Sequence, residues 1–178
     1  GMLDDTTGYI LQTGFTDNVS GEIRSKFQQL KKMGMKRLVL DLRGNGGGYL
    51  TAAVDIASEL IDDEKLVVYT EGKSNPRYEY MSKGKGKFLK GNLVVIVDET
   101  SASASEILAG AIQDWDRGLV VGRRSFGKGL VQRPFNLPDG SMIRLTTARY
   151  YTPTGRCIQK PYDNDSVKYE QDPMHRYN

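Results

Sequence analysis

Between Arg37 and Ile61 the chain runs from a short aliphatic segment, Arg37-Leu-Val-Leu-Asp-Leu42, through the glycine cluster Gly44-Asn-Gly-Gly-Gly48 into a helical stripe. That stripe is Leu50, Ala53, Val54, Ala57, Leu60 and Ile61. Strand, glycine turn and helix in that order constrain the fold strongly, because a strand followed directly by an amphipathic helix is the repeating unit of a sheet covered by helices. The same alternation extends in both directions. Residues 19 to 33 place Ile23, Phe27, Leu30 and Met33 at helical spacing, and Gly34 follows as a stop. Leu66-Val-Val-Tyr-Thr70 and Leu93-Val-Val-Ile-Val97 are apolar runs too short for independent helices and read as buried strands, with an exposed polar excursion between them. Residues 103 to 115 carry Ile107, Leu108, Ala111 and Ile112 on one helical side, and Leu119-Val-Val-Gly122 is another strand. The expected fold is α/β with a largely parallel sheet and flanking helices. Gly129 to Phe135 and Ser141 to Thr147, joined through Leu137-Pro-Asp-Gly140, predict an antiparallel β-hairpin appendage.

Composition fits one globular domain. The 178 residues are 38% hydrophobic and 26% charged, enough for a core of its own. A formal charge of +3 is mild, and apart from Lys83-Gly-Lys-Gly-Lys87 the cations are scattered, so neither nucleic acid nor an anionic membrane is an expected partner. Cys157 is the single cysteine and makes no internal disulfide; cysteine count therefore leaves the redox compartment open. No apolar run approaches the roughly 20 residues of a membrane span. We expect residues 1–161 to form the core and the polar, aperiodic 162–178 to be a frayed or truncated tail, and we read the opening Gly1-Met2 as a cloning scar.

Ser103 falls where the strand ending at Val97 gives way to a helix. Helix N-termini carry unpaired N–H groups and a positive dipole end, so a nucleophile there has oxyanion donors beside it, the Ala104 amide first among them. Ser101, Ser103 and Ser105 are equally good helix caps, and capping stands as the alternative. The glycine cluster 44–48 offers either a second backbone donor or a plain turn; it lacks the spacings of a dinucleotide or phosphate loop. If Ser103 is a nucleophile, the base must be a lysine, because the only histidine, His175, lies in the polar tail. Lys128 has Phe126, Gly127, Gly129, Leu130 and Val131 around it, the apolar setting in which a lysine loses its charge most readily. Gln132 falls on the same side of an extended strand and is placed to orient the lysine amine. A surface lysine beside a turn is the other reading. There is no histidine pair or cysteine cluster to hold a metal.

Four blocks in order, Asp41-Leu-Arg-Gly-Asn-Gly-Gly-Gly48, Ser101-Ala-Ser-Ala-Ser-Glu106 with Ile107 to Asp114, Phe126-Gly-Lys-Gly129 with Gln132, and Arg149-Tyr-Tyr-Thr-Pro-Thr-Gly155, resemble the C-terminal processing (tail-specific) serine peptidases. The resemblance covers roughly residues 8 to 161. It implies a ClpP/crotonase-like α/β core and a serine endopeptidase, with Ser103 as nucleophile, Lys128 as general base and Gln132 positioning the lysine. Ala104 and Gly48, or its neighbour Gly47, would supply the oxyanion hole, and Asp114 would support the site indirectly. No cofactor or metal is implied. The partners would be protein or peptide substrates, chiefly unstructured C-terminal tails, in the periplasm or cell envelope. Members of that family usually carry a PDZ domain that captures the substrate's chain end, and none is legible here; the expectation is an excised catalytic fragment of a longer, exported protein. A catalytically silent peptide-binding module on the same fold, or a crotonase-like acyl-CoA enzyme, are the alternatives.

Overall fold

The computed structural model describes residues 1–62, 64–84 and 86–162. The element order is β1 (Thr7–Leu11), α1 (Val19–Lys32), β2 (Arg37–Asp41), α2 (Leu50–Leu60), β3 (Leu66–Gly72), β4 (Asn75–Met81), β5 (Asn92–Val97), α3 (Ala104–Asp114), β6 (Leu119–Gly122), β7 (Leu130–Asn136) and β8 (Met142–Tyr151). The α/β class expected from the sequence is observed. One sheet is wholly parallel, in the order β1-β2-β5-β6. A second sheet is antiparallel, in the order β4-β3-β8-β7.

Two features differ from the sequence reading. β3 belongs to the antiparallel sheet, so the hairpin β7–β8 is half of a sheet rather than an isolated appendage. The polar excursion after β3 contains β4, whose Pro76, Arg77 and Glu79 hide a strand from a hydrophobicity reading. Both strands that contain proline, β4 with Pro76 and β7 with Pro134, lie at the edges of this sheet, where a missing N–H costs no ladder bond. The tail from residue 163 lies outside the described residues, and with it His175.

α1 follows the amphipathic reading: Val19, Ile23, Phe27 and Leu30 are buried, Glu22 sits in the first turn, and Lys31 and Lys32 sit in the last, each charge matching the nearby end of the helix dipole. α2 and α3 are buried on nearly all sides, from Ala52 to Leu60 and from Ala104 to Ile112 apart from Asp55, and they pack against each other. Burial that complete forces their polar groups to find partners. Ser58 donates to the Val54 carbonyl at 2.8 Å, and the Glu59 carboxylate, 1% exposed, accepts from Arg24 and from the Lys87 N–H at 2.9 Å.

Candidate active site

The site forms at the carboxyl ends of β2 and β5, adjacent parallel strands in which Asp41 pairs with Ile96. Loops leaving that end of an open sheet meet in the crevice where ligands bind in α/β folds. Asp98 ties the two loops together. Its carboxylate accepts from the Gly44 N–H at 3.1 Å, from the Thr100 N–H and hydroxyl at 3.0 and 2.7 Å, and from the Ser101 N–H at 3.0 Å. Burial alone would raise this carboxyl, but the bonds from Thr100, Gly44 and Ser101 outweigh it and hold it below the usual range. Asn45, fully buried, is the second tie. Its side chain donates to the Gln12 carbonyl at 2.7 Å and accepts from the Gly47 N–H at 2.9 Å, and its carbonyl accepts from the Ala102 N–H at 3.0 Å.

The three serines at the start of α3 are not equivalent. Ser101 and Ser105 are buried, and their hydroxyls are spent on the Leu42 and Asn45 carbonyls at 2.8 and 2.9 Å. Ser103 is half-buried and sits at the N-cap with φ 56° and ψ −112°, a backbone conformation that favours glycine. Its N–H donates to the Glu106 carboxylate at 2.9 Å. The N-cap position and the expected nucleophile position thus fall on one residue, whose backbone holds its side chain at the head of the helix.

Gly47 lies directly against this point. A Cβ there would fall 2.8 Å from Ser103 Cβ and 3.0 Å from the Ala104 nitrogen, which only a glycine avoids, and φ at Gly47 is 101°. Its own N–H is taken by Asn45, and its carbonyl accepts from the Phe15 N–H at 3.0 Å. Gly48 and Ala104 differ. Among the described residues neither of their N–H groups has a hydrogen-bond partner. Of the two glycines implied for an oxyanion hole, Gly48 keeps a free donor and Gly47 does not.

Lys128 lies in the segment between β6 and β7. Glu106, 7% exposed, reaches that segment from α3 and accepts from the Ser125 hydroxyl at 2.7 Å, the Gly127 N–H at 2.6 Å and the Lys128 N–H at 2.8 Å. One carboxylate therefore holds the backbone of Ser103 and of Lys128 together. The sequence shows the signal for it, a serine followed three residues later by glutamate, but as a capping pattern only. Lys128 itself is exposed, contrary to the apolar enclosure its neighbours suggested, because Gly127 and Gly129 are buried and bare while the lysine side chain points outward. Gln132 is also exposed. Lys128 precedes β7, which begins at Leu130, so the alternation of that strand does not extend from Gln132 to Lys128. Among the described residues no hydrogen bond joins the two side chains. Asp114 ends α3, roughly 16 Å along the helix from Ser103 at 1.5 Å per residue. Its carboxylate accepts from the Thr154 N–H and hydroxyl at 2.9 and 2.7 Å and pairs with Arg156, so it pins the turn after β8. Among the described residues no group of three or more His, Cys, Asp or Glu is placed to hold a metal ion.

The Asp41 carboxylate, 1% exposed, anchors the glycine loop from below. It accepts from the Tyr9 hydroxyl at 2.7 Å and from Arg43 at 2.6 Å. Hydrogen bonds from Arg43 dominate, burial opposes them, and Tyr9 adds to them, drawing its pKa to about 2. Because the folded-state value is depressed, the stabilisation is present above the unfolded value near 3.9 and is lost as pH falls toward 2. Asp41→Asn is expected to cost about 1–2 kcal/mol at pH 7, with the half-exposed Arg43 limiting the figure. Urea unfolding at a series of pH values checks this: the gap to wild type should close between about pH 5 and 2, and a gap constant with pH would show that the charge is not its source.

A half-buried serine at a helix N-cap, with the unpartnered Ala104 amide next in the chain and the unpartnered Gly48 amide next to the glycine that packs against it, is the equipment of serine-type acyl transfer. Comparison with known proteins then places the chain: residues 6–167 match the family profile described as Peptidase family S41, and the chain belongs to that family. It is 44% identical over 156 residues to a carboxyl-terminal-processing protease of Picosynechococcus sp., covering 88% of this chain and 37% of that protein. It is 41% identical over 160 residues to a chloroplastic C-terminal processing peptidase of Tetradesmus obliquus, covering 90% and 34%. Among solved structures, a photosystem II D1 C-terminal processing protease superposes with a TM-score of 0.82 at 41% identity, covering 86% of this chain and 39% of that one. The chain thus spans little more than a third of the length of these relatives.

Proposed function

We propose that this chain is the catalytic core of a serine endopeptidase with a Ser-Lys dyad, acting on protein substrates at or near unstructured C-terminal tails. The observation that carries the reading is the pair of unpartnered amides, Ala104 immediately after the strained Ser103 and Gly48 immediately after Gly47, which packs against it. In the proposed reaction the neutral Lys128 amine takes the proton of Ser103 Oγ as that oxygen attacks a peptide carbonyl. The two amides hold the oxyanion, each donor contributing about 2.7 to 4 kcal/mol in hydrolases where one has been removed. Lys128 returns its proton to the leaving amine, and water then hydrolyses the acyl-enzyme. A substrate strand laid over the exposed Lys128 would strip water from it and disfavour the ammonium form. Gln132 is kept as a residue that can meet the amine once substrate is bound.

Capture of the tail by a PDZ domain, and placement in the periplasm or cell envelope, belong to the same proposal and rest on the family likeness. Fractionation that left the native protein in the cytosol would remove the second. For the chemistry, the full-length native protein, Ser103→Ala and Lys128→Ala are incubated with an unstructured protein and the products sized by mass spectrometry. Cleavage by wild type, lost in both variants and rising with pH, is expected; cleavage surviving in either variant, or none in the wild type, overturns the reading. A crotonase-type site, which needs no serine nucleophile, would keep its turnover in Ser103→Ala.

A further inference from the structure

We infer that Gln159 is a positioning residue for the catalytic lysine, an inference that rests on the Ser-Lys reading above. Three consecutive backbone N–H groups at the lysine end on side-chain oxygens: Gly127 and Lys128 on Glu106, and Gly129 on Gln159 Oε1 at 2.9 Å. Glu106 comes from the helix that carries Ser103. Gln159 comes from the opposite direction, on the segment that folds back after β8.

That segment is built to reach the lysine. Tyr151 pairs with Cys157, and the Ile158 N–H donates to the Tyr150 carbonyl at 3.0 Å, which turns residues 158–160 back toward Gly127 and Gly129. The Lys160 N–H then donates to the Gly127 carbonyl at 3.0 Å. Contact is too close for any side chain on the lysine's neighbours. A Cβ at Gly129 would lie 2.2 Å from the Gln159 nitrogen, and one at Gly127, where φ is 89°, would lie 2.7 Å from Lys160 Cβ. Gln159 is 9% exposed, and its Nε2 donates to the Lys160 carbonyl at 3.2 Å. A carboxamide suits both tasks at once, accepting from Gly129 and donating to Lys160.

The physical role follows from the lysine's own geometry. An exposed, four-carbon side chain has no packing to aim it, so the direction of its amine is set by where the backbone holds its Cα and Cβ. Releasing the Gly129 N–H frees one side of that clamp while the Glu106 side stays. Misplacement of a reacting group by about 1 Å costs on the order of 100-fold in rate. Gln159 acts through the backbone and touches no reacting atom.

The test uses the full-length native protein, with Gln159→Met removing the bonds to Gly129 and Lys160 at similar size and Gln159→Glu keeping the acceptor. Wild type and Ser103→Ala are assayed first. If wild type does not cleave, or Ser103→Ala still does, the Ser-Lys reading falls and the role of Gln159 with it. If that control holds, Gln159→Met is expected to lower kcat by about 10- to 100-fold, with KM within about twofold and the thermal transition near wild type. Gln159→Glu should recover most of the lost kcat, with its rising pH limb moved to higher pH by the added negative charge. Wild-type kcat in Gln159→Met, a loss that only tracks the folded fraction, or no recovery in a folded Gln159→Glu would each overturn the proposal while leaving the Ser-Lys dyad standing.

Discussion

Ser103→Gly is expected to abolish peptide cleavage and at the same time to raise the thermal transition by about 2–6 °C. The two effects share a cause. Ser103 holds φ 56° and ψ −112°, a combination that costs a residue with a Cβ about 1–3 kcal/mol and glycine little. Exchanging a serine cap for glycine costs only a few tenths of a kcal/mol, so relief of strain wins. At about 2–4 °C per kcal/mol for a chain of this size, the net gain is readable by calorimetry. Removing a serine nucleophile has cost about 10⁶-fold in turnover in a hydrolase where it was measured. A serine cap in an ordinary extended backbone conformation would instead lose a few tenths of a kcal/mol on becoming glycine. A lower transition midpoint in Ser103→Gly would therefore count against stored strain at Ser103.

Glu106→Gln is expected to destabilise the chain by about 3 kcal/mol and to lower turnover by at least tenfold, although the side chain keeps its size. The carboxylate receives four donors, from Ser103, Ser125, Gly127 and Lys128. A carboxamide offers one oxygen and turns its NH₂ toward N–H groups that need an acceptor. Two buried bonds to a charged acceptor are lost, at about 1.5–3 kcal/mol each before relaxation. Urea unfolding reads the first effect. Turnover per folded molecule reads the second, because loosening Glu106 uncouples the Lys128 segment from the helix that carries Ser103. Wild-type stability together with wild-type kcat would show that the four bonds do not hold the two segments in register.

Much of the fold is legible from local pattern. The spacing of Ile23, Phe27 and Leu30 reports α1 because one face of that helix meets the core and the other meets water. The apolar run Leu93 to Val97 reports β5 because that strand lies in the interior of the parallel sheet. β4 escapes the same reading, since an edge strand needs one paired side and no apolar run. The assignment of β3 to its sheet escapes it too: Leu66 to Thr70 reads as buried in either sheet, and only its pairing with β4 and β8 decides.

Within the site, the placement of Ser103 and the need for glycine near it follow from the strand-to-helix and strand-glycine-helix patterns. Which amides remain free does not. Gly47 and Gly48 are adjacent glycines with the same local signal, and they are told apart only by Asn45 and Phe15, which take the Gly47 N–H and carbonyl. Gln132 and Gln159 divide in the same way. Sequence proximity and strand parity favour the first, whereas Lys128 lies outside the strand that carries Gln132 and the fold brings the second, 30 residues from its partner Gly129, onto the lysine segment.

Periodicity, turn residues and the serine-rich helix start determined most element types, the α/β class and the place of Ser103 at the head of a helix, because each of these is settled by interactions within a few residues. The pairing of strands into two sheets, the free donors at Gly48 and Ala104, and the clamp of Glu106 and Gln159 around Lys128 were decided by the tertiary structure alone. They depend on polar groups 21 and 30 residues apart meeting inside the protein, where an unmet hydrogen bond is costly and no local pattern announces which partner will arrive.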